Sequence, residues 1–565
     1  MSFDNVVSRL GEFGPYQRKI YFLLCLPAIL CAFQKMGNVF LVAEPDYRCR
    51  LPDEPKNASY HLNNTILSTY YPKDKLHQKY SSCEIIIDGK IEKCDSYIFD
   101  DSVYGYTSVI EYDLTCSKAY LIATSNAIFM VGVMLGSIGF GEMSDRCGRK
   151  LTFFVSLVSL LVTGLIAAIA PELWTFTFAR MCVGACTSGV FLVAYVIGLE
   201  MVGPSKRFIA GTVCHIFFSF GYTLISPMAY YIYDWRWLQF ALTIPGVFFL
   251  MYWWLIPESA RWLLTKERTK EAKKLIQEAA KYNKVSITDE TLDQLLADAK
   301  GTNVPKDNQT TSILHVFKYP NMRKKTLVIF FDWFANNLTY YGLSWNSNNL
   351  AGNPYLNFVL LGAVEIPGYL ILLLFLNRWG RTKLMCCCMM VAGIMLLISI
   401  AVPKEHQWLI ITLTMLGKLS ITASYGAVYI LSTEQFPTVV RNAGLGAGST
   451  MARFGSILAP YINALVRIAL EMRRGIDINI ELFQAHVWQP LPLLIFGSAA
   501  LIGGVMSLVL PETLNKKLPE TMEEGEMFGR KKKKLDINEM DLNQPNKLTE
   551  NGNAEDKLVQ NNGAQ

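Results

Sequence analysis

Glu365, Lys418 and Arg453 sit inside long apolar runs, where an ionised side chain is costly and marks a functional site by default. Arg453 lies about 18 Å along a helix beyond Arg441, and Glu365 about the same distance before Asn377, at 1.5 Å per residue. Both therefore reach the middle of a bilayer from matching depths. A fixed cation, a carboxylate and the rings of Phe191, Tyr195, Tyr340, Tyr341 and Trp345 make a set suited to holding a small organic ion through ion pairing and cation–π attraction. Arg180 and His215 are weaker candidates, because a neighbouring helix would satisfy either. No metal triad, nucleophile elbow, phosphate loop or Walker motif stands in the chain. The expectation is a binding and translocating protein rather than an enzyme, without cofactor or metal, driven by a gradient, a membrane potential or a coupled Na+ or H+.

A second charged set recurs. Asp145-Arg146-Cys147-Gly148-Arg149-Lys150 is matched later by Asn377-Arg378-Trp379-Gly380-Arg381-Thr382-Lys383, Glu200 with Arg207 by Glu434 with Arg441, and Pro257-Glu258-Ser259 by Pro511-Glu512-Thr513. Three landmarks repeated in the same order mean two parallel halves joined by a long central segment, a construction common among secondary transporters. Asp145, Arg146, Arg149, Glu200, Glu258 and Arg261 in the first half, and Arg378, Arg381 and Glu434 in the second, are expected to form bonds that are made in one state and broken in the other. Arg207 and Arg441, two turns from their glutamates, are placed on the same helical face. The second half carries Asn377 where an acid is expected, which weakens its clamp.

The elements that position these groups follow from hydropathy. The chain has 565 residues, 51% apolar and only 18% charged, against about 25% charged in a soluble domain. About twelve stretches are long enough to cross a membrane as helices, near 20–42, 119–141, 150–170, 173–195, 208–232, 236–256, 325–346, 356–376, 383–402, 408–431, 443–466 and 489–510. The fold class expected is an all-α membrane protein of twelve transmembrane helices in two six-helix pseudo-symmetric halves. The basic loops put the 145–150 and 378–383 turns on the cytoplasmic side, and with an even number of spans both termini as well. The formal net charge of +6 is spread over short loops rather than one soluble module, so nucleic acid is not the partner. The divisions are a cytoplasmic N-terminus at 1–19, a first half at 20–256 with an external loop at 44–118, a cytoplasmic helical linker at 257–324, a second half at 325–510 and a disordered cytoplasmic tail at 511–565.

Cys49, Cys83, Cys94 and Cys116 fall in the external loop, where two disulfides in one of three pairings are expected. The sequons at Asn57 and Asn63 share that loop and are expected to be glycosylated. Those at Asn308 and Asn337 are chance matches, and Cys386-Cys387-Cys388 reads as small apolar membrane residues rather than a metal site. In the linker, Ala272, Leu275, Ile276, Ala279 and Ala280 recur at helical spacing among charges, a face that should lie against the bundle or the membrane surface. Arg530-Lys531-Lys532-Lys533-Lys534 in the tail suits anionic lipid or a topogenic role.

The motif Gly141-x3-Asp145-Arg146-x-Gly148-Arg149-Lys150, with its partner at Arg378-x-Gly380-Arg381, resembles the signature loop of the major facilitator superfamily. Pro257-Glu258-Ser259-Ala260-Arg261-Trp262-Leu263, Asp234-Trp235-Arg236-Trp237-Leu238-Gln239 and Glu434-Gln435-Phe436-Pro437-Thr438-Val439-Val440-Arg441-Asn442 resemble the organic cation, carnitine and organic anion transporter family. Tyr340-Tyr341-Gly342-Leu343-Ser344-Trp345-Asn346 looks like insect-type members named for organic cations, carcinine or beta-alanine. The resemblance implies the major facilitator fold, a multi-pass plasma-membrane location and alternating access. It also implies that Phe191, Tyr195, Tyr340 and Tyr341 line the substrate path. Position 453 is an Asp in dedicated cation transporters of this kind and an Arg in the anion and carnitine branches, while Tyr369 follows Pro367 as in the carnitine branch. A site with one fixed cation, one acid and many rings then suits an amine-bearing zwitterion of the carnitine or beta-alanine type, with Arg453 on its carboxylate and Glu365 near its amine. The alternatives are a pure organic cation uniporter, with Arg453 neutralised by Glu365 itself, or an organic anion transporter. A transporter-like solute receptor is the reading from a different class.

Overall fold

The computed structural model describes residues 3–529 apart from 53, 56, 57, 74–79, 287, 302–312, 351, 404 and 474–489. Asn57, Asn308 and the basic cluster from Arg530 to Lys534 lie outside the described residues. Among the described residues, twelve long helical segments run in series, which meets the expected fold class. The first half holds Pro15–Leu41, Tyr120–Cys147, Arg149–Ala168, Leu173–Met201, Arg207–Tyr231 and Trp235–Leu255. The second holds Pro320–Trp345, Pro354–Trp379, Arg381–Ala401, Gln407–Gln435, Arg441–Arg473 and Leu491–Ser507. They are called the first to twelfth spans in that order.

Local sequence explains their shape. The first span breaks at Leu26, where Pro27 cannot donate to the preceding turn, and again at Gly37. The eighth breaks at Val364, just before Glu365 and Pro367. The seventh begins at Pro320 rather than near 325, because Arg323, Lys324 and Lys325 make its first turns polar while leaving them helical. Between the second and fourth spans, a side chain at Gly132 would strike the Met181 carbonyl and one at Gly136 the Ala185 backbone. Glycines four apart let these two helices touch along their backbones, the packing device of membrane helices that lack a hydrophobic drive toward one another.

The motif around Trp235 ties the first half together at its loop end. Asp234 caps the sixth span by accepting from the Arg236 amide at 2.7 Å. Arg236 pairs with Glu111 and donates to the carbonyls of Ala168 and Ala170 at 2.8 and 2.7 Å. Trp235 Nε1 adds a bond to Glu111 at 2.8 Å. Arg180 is equally structural: fully buried, it donates to the Gln34 carbonyl at 2.8 Å and to the amide oxygens of Gln34 and Gln239 at 3.3 and 3.4 Å. It thereby knits the first, fourth and sixth spans.

The loop after the first span folds on two antiparallel ribbons, Tyr47–Cys49 with Tyr97–Phe99 and Glu84–Ile87 with Lys90–Lys93. Its disulfides are Cys49–Cys94 and Cys83–Cys116. Buried Arg48 pairs with Glu54 at 2.6 Å, and that salt bridge holds the Glu54 carboxyl below the usual range. Asn63 is exposed at the N-terminus of the short helix Asn64–Tyr70.

At the opposite end, the amphipathic linker helix Thr269–Asn283 turns Ile276, Ala279 and Ala280 toward Val6 and Leu10 of the N-terminal helix and Leu292, Leu295 and Leu296 of the next linker helix. Its apolar face is covered by protein. The tail boundary needs correction. Residues 511–528, read from sequence as disordered, pack on the second half. Glu526 accepts the Asn321 and Met322 amides at 2.9 Å, capping the orphan donors at the start of the seventh span. Lys325 donates to the carbonyls of Gly525 and Phe528. Few apolar residues mark this stretch, because its attachment is made by hydrogen bonds. Peptide mapping without reduction should recover Cys49 joined to Cys94 and Cys83 joined to Cys116; a Cys49–Cys83 or Cys49–Cys116 peptide would overturn this pairing.

Candidate functional site

Glu365, at the break of the eighth span, and Lys418, in the tenth, are fully buried and form an ion pair of 3.0 Å. Ser219 of the fifth span donates to Glu365 at 2.7 Å, so the pair is also a bond between the halves. Lys418 Nζ donates to Ser344 Oγ at 2.6 Å and stands 3.3 Å from the centroid of the Tyr340 ring. Each charge is thus given a counter-charge and further partners, as burial of an ion pair requires. In this conformation Glu365 pairs with Lys418, where the sequence reading set it near a solute amine or against Arg453. The lysine that takes Glu365 lies on another helix, at a spacing no linear pattern reveals.

Arg453 faces the hydroxyl-bearing rings of Tyr341, Tyr425 and Tyr429, and its Nε has no hydrogen-bond partner. Across from it, in the first half, Phe191 and Tyr195 stack at 6.2 Å, both rings contact His215, and His215 meets Tyr369 at 5.5 Å. Phe191, Tyr195, Tyr340, Tyr341 and Tyr369 are therefore gathered at one level between the halves. Trp345 stands at the edge of this group, tilted against Tyr341 at 5.6 Å, and also lines a cavity of about 560 Å³ that opens at the disulfide-loop end beside Asn38, Asn126 and Asn463. Sequence reasoning missed Tyr425 and Tyr429, which recur at helical spacing in the tenth span, and Lys35, which lies over the Phe191 and Phe218 rings at 5.5 and 5.9 Å. Lys35 falls inside the first span, and that position was the available signal.

Contacts between the halves gather at the disulfide-loop end. Ser226 donates to the Tyr355 carbonyl at 2.8 Å, the Tyr355 hydroxyl donates to the Val103 carbonyl at 3.1 Å, Asn348 donates to the Val39 carbonyl at 3.2 Å, and Phe40 stacks on Tyr355 at 5.3 Å.

At the other end the repeated charges form twin clusters. In the first half Arg149 pairs with Asp145 at 2.9 Å and Glu200 at 3.5 Å, Ser259 donates to Glu200, and Glu258 accepts the Arg149 amide at 3.0 Å. In the second, Arg381 pairs with Glu434 at 3.2 Å, Thr513 donates to Glu434, and Glu512 accepts the Arg381 amide at 2.8 Å. Gly148 and Gly380 make the two turns at φ +112° and +100°, and a side chain at either would run into Glu258 or Glu512. Burial would raise the Glu512 carboxyl, but amides of Leu514, Arg381, Lys383 and Thr513 donate to it and hold it below the usual carboxylate range.

Several placements differ from expectation. Arg146 makes only an exposed pair with Glu142, and Arg378 and Arg261 are exposed. Arg207 pairs with Asp4 and donates to the Leu199 and Val202 carbonyls rather than meeting Glu200. Arg441 donates to the Phe436 carbonyl. The two-turn spacing presumed one continuous helix, but the fourth and tenth spans end at Met201 and Gln435, between the glutamate and the arginine. Trp262, not singled out from sequence, donates its indole N–H to the Asp145 carbonyl at 3.0 Å. Among the described residues, the cluster bonds stay within one half or the other; in this conformation they brace each half.

Residues 69–524 match the family described as sugar (and other) transporter. The chain is 51% identical to the organic cation transporter protein of Drosophila melanogaster over 544 residues, covering 94% of this chain and 96% of that one. It is 33% identical to organic cation/carnitine transporter 2 of Homo sapiens, over 92% of this chain and 93% of that one. Among solved structures, the proton:xylose symporter XylE aligns over 90% of this chain and 98% of its own with a TM-score of 0.59 at 15% identity, a likeness of fold.

Removing one member of the Glu365–Lys418 pair leaves a buried charge uncompensated, at about 3–5 kcal/mol. Glu365→Gln and Lys418→Met should each lower the melting temperature of the detergent-purified protein, and the double variant should recover much of the loss. A double variant as unstable as the sum of the singles would mean that the pair is not mutually compensating.

Proposed function

Because this chain belongs to the organic cation/carnitine transporter family of the major facilitator superfamily, we propose that it carries small amine-bearing zwitterions across the plasma membrane by alternating access. The termini and the twin clusters face the cytoplasm in this reading, and the disulfide-linked loop faces outward. The reading rests most on one observation: Glu365 is held by Lys418, and among the described residues Arg453 has no carboxylate partner at a level lined by Tyr341, Tyr425 and Tyr429. A bare organic cation would meet a site whose fixed charge is already positive. A zwitterion presents its carboxylate to the guanidinium and its amine to ring faces, where a desolvated cation–π contact contributes about 2 kcal/mol.

Alternating access is supported by the same geometry. The halves are joined at the disulfide-loop end through Tyr355, Ser226 and Asn348. The twin clusters meanwhile keep each half a body able to rock as a unit. Asp145, Arg149, Glu200 and Glu258, with Arg381, Glu434 and Glu512, act in this reading as braces that hold each half together through the cycle. Flux follows the solute gradient or a coupled ion, and replacing Na+ or changing the proton gradient identifies which.

The test is initial-rate uptake into expressing cells of labelled tetraethylammonium, carnitine or beta-alanine, and a simple aromatic carboxylate. The zwitterion should enter fastest, and Arg453→Asp should cut its uptake far more than uptake of the cation. Preference for tetraethylammonium in the unmodified protein would overturn the zwitterion reading.

A further inference from the structure

Resting on the reading of a carboxylate-bearing solute, we propose that Lys35 and Arg453 together form the carboxylate seat, one cation from each half, and that the bound carboxylate bridges the halves. Among the described residues, the buried cations other than Lys35 all have partners. Arg48 has Glu54, Lys418 has Glu365, Arg180 has the oxygens of Gln34 and Gln239, and Lys325 has the Gly525 and Phe528 carbonyls. Lys35 is 7% exposed, and among the described residues its ammonium has neither an ion-pair partner nor a hydrogen-bond acceptor within reach, only the Phe191 and Phe218 rings. Cation–π contacts contribute about 0.5–2 kcal/mol, while an ion withdrawn from water costs several kcal/mol even after relaxation. The rings alone do not offset that cost.

Lys35 lies over the Phe191 ring in the first half and Arg453 beside Tyr341 in the second, so the two cations stand at the same aromatic level and act on one another electrostatically. Lys35 rises from the first span and Arg453 from the eleventh, so an anion between them relieves both desolvation and repulsion while drawing the two lobes together. Glu365 cannot serve, being occupied by Lys418 and Ser219. The seat thus selects a solute with at least one carboxylate, and its occupation favours closure of the halves around the solute.

Two measurements test this. In cells matched for surface expression, Lys35→Met should raise the KM for beta-alanine about tenfold or more, the range of a charge-assisted hydrogen bond lost from a buried site, and Lys35→Arg should restore most of it. An unchanged KM in Lys35→Met would overturn the bridge. The unmodified protein gives a reading free of any folding defect: propionate, a carboxylate without an amine, should inhibit beta-alanine uptake more strongly than propylamine, an amine without a carboxylate. The reverse order would overturn the two-cation seat. Absence of any zwitterion uptake in the unmodified protein would instead strike the parent reading.

Discussion

A charge taken out of water needs an opposite charge or a full set of dipoles close by, and this requirement sorts the buried charges Arg180, Glu365 and Lys418. Arg180 is satisfied by amide and carbonyl oxygens, and it holds three spans of the first half in register. Glu365 and Lys418 satisfy one another and, through Ser219, join the halves at mid-depth. Lys35 and Arg453 have no carboxylate partner among the described residues. In the proposed reading, the same physics that stabilises the scaffold also selects the solute, because unpaired positive charge beside aromatic faces has an electrostatic preference before any solute arrives.

Much of the scaffold was legible because it is written in local patterns. Apolar runs gave the twelve spans, and the loops at Gly148 and Gly380 announced themselves because a left-handed turn between two helices needs glycine beside charged neighbours. Of the carboxylates that accept the amides at these turns, Glu258 was assigned from sequence, while Glu512 was noted only as its repeat in the second Pro-Glu pair. Interactions between distant spans were not legible. Lys418 was marked as a mid-depth charge, but nothing linear connects it to Glu365. Lys35 was passed over although it lies within a span. Arg207 and Arg441 were assigned by a rule valid only inside a helix, and each helix stops before the rule can apply.

The two halves repeat their clusters closely, but not their supports. Arg149 is flanked by both Asp145 and Glu200, whereas Arg381 has Glu434 alone and Asn377 stands exposed where the second acid would be. The first cluster is further braced by the Trp262 indole from the linker helix. The second half is braced elsewhere, by the Met522–Met527 helix capping the start of its seventh span. Exposed ion pairs are worth little, about 0–1 kcal/mol, and Asp145 is largely exposed at 76%, so its pair adds less than the half-buried bonds around Glu200 and Glu258. The amide donations to the glutamates are therefore the stronger part of each clamp, and they recur in both halves together with the Arg149–Glu200 and Arg381–Glu434 pairs. Symmetry is kept where the energy is concentrated and lost where it is small.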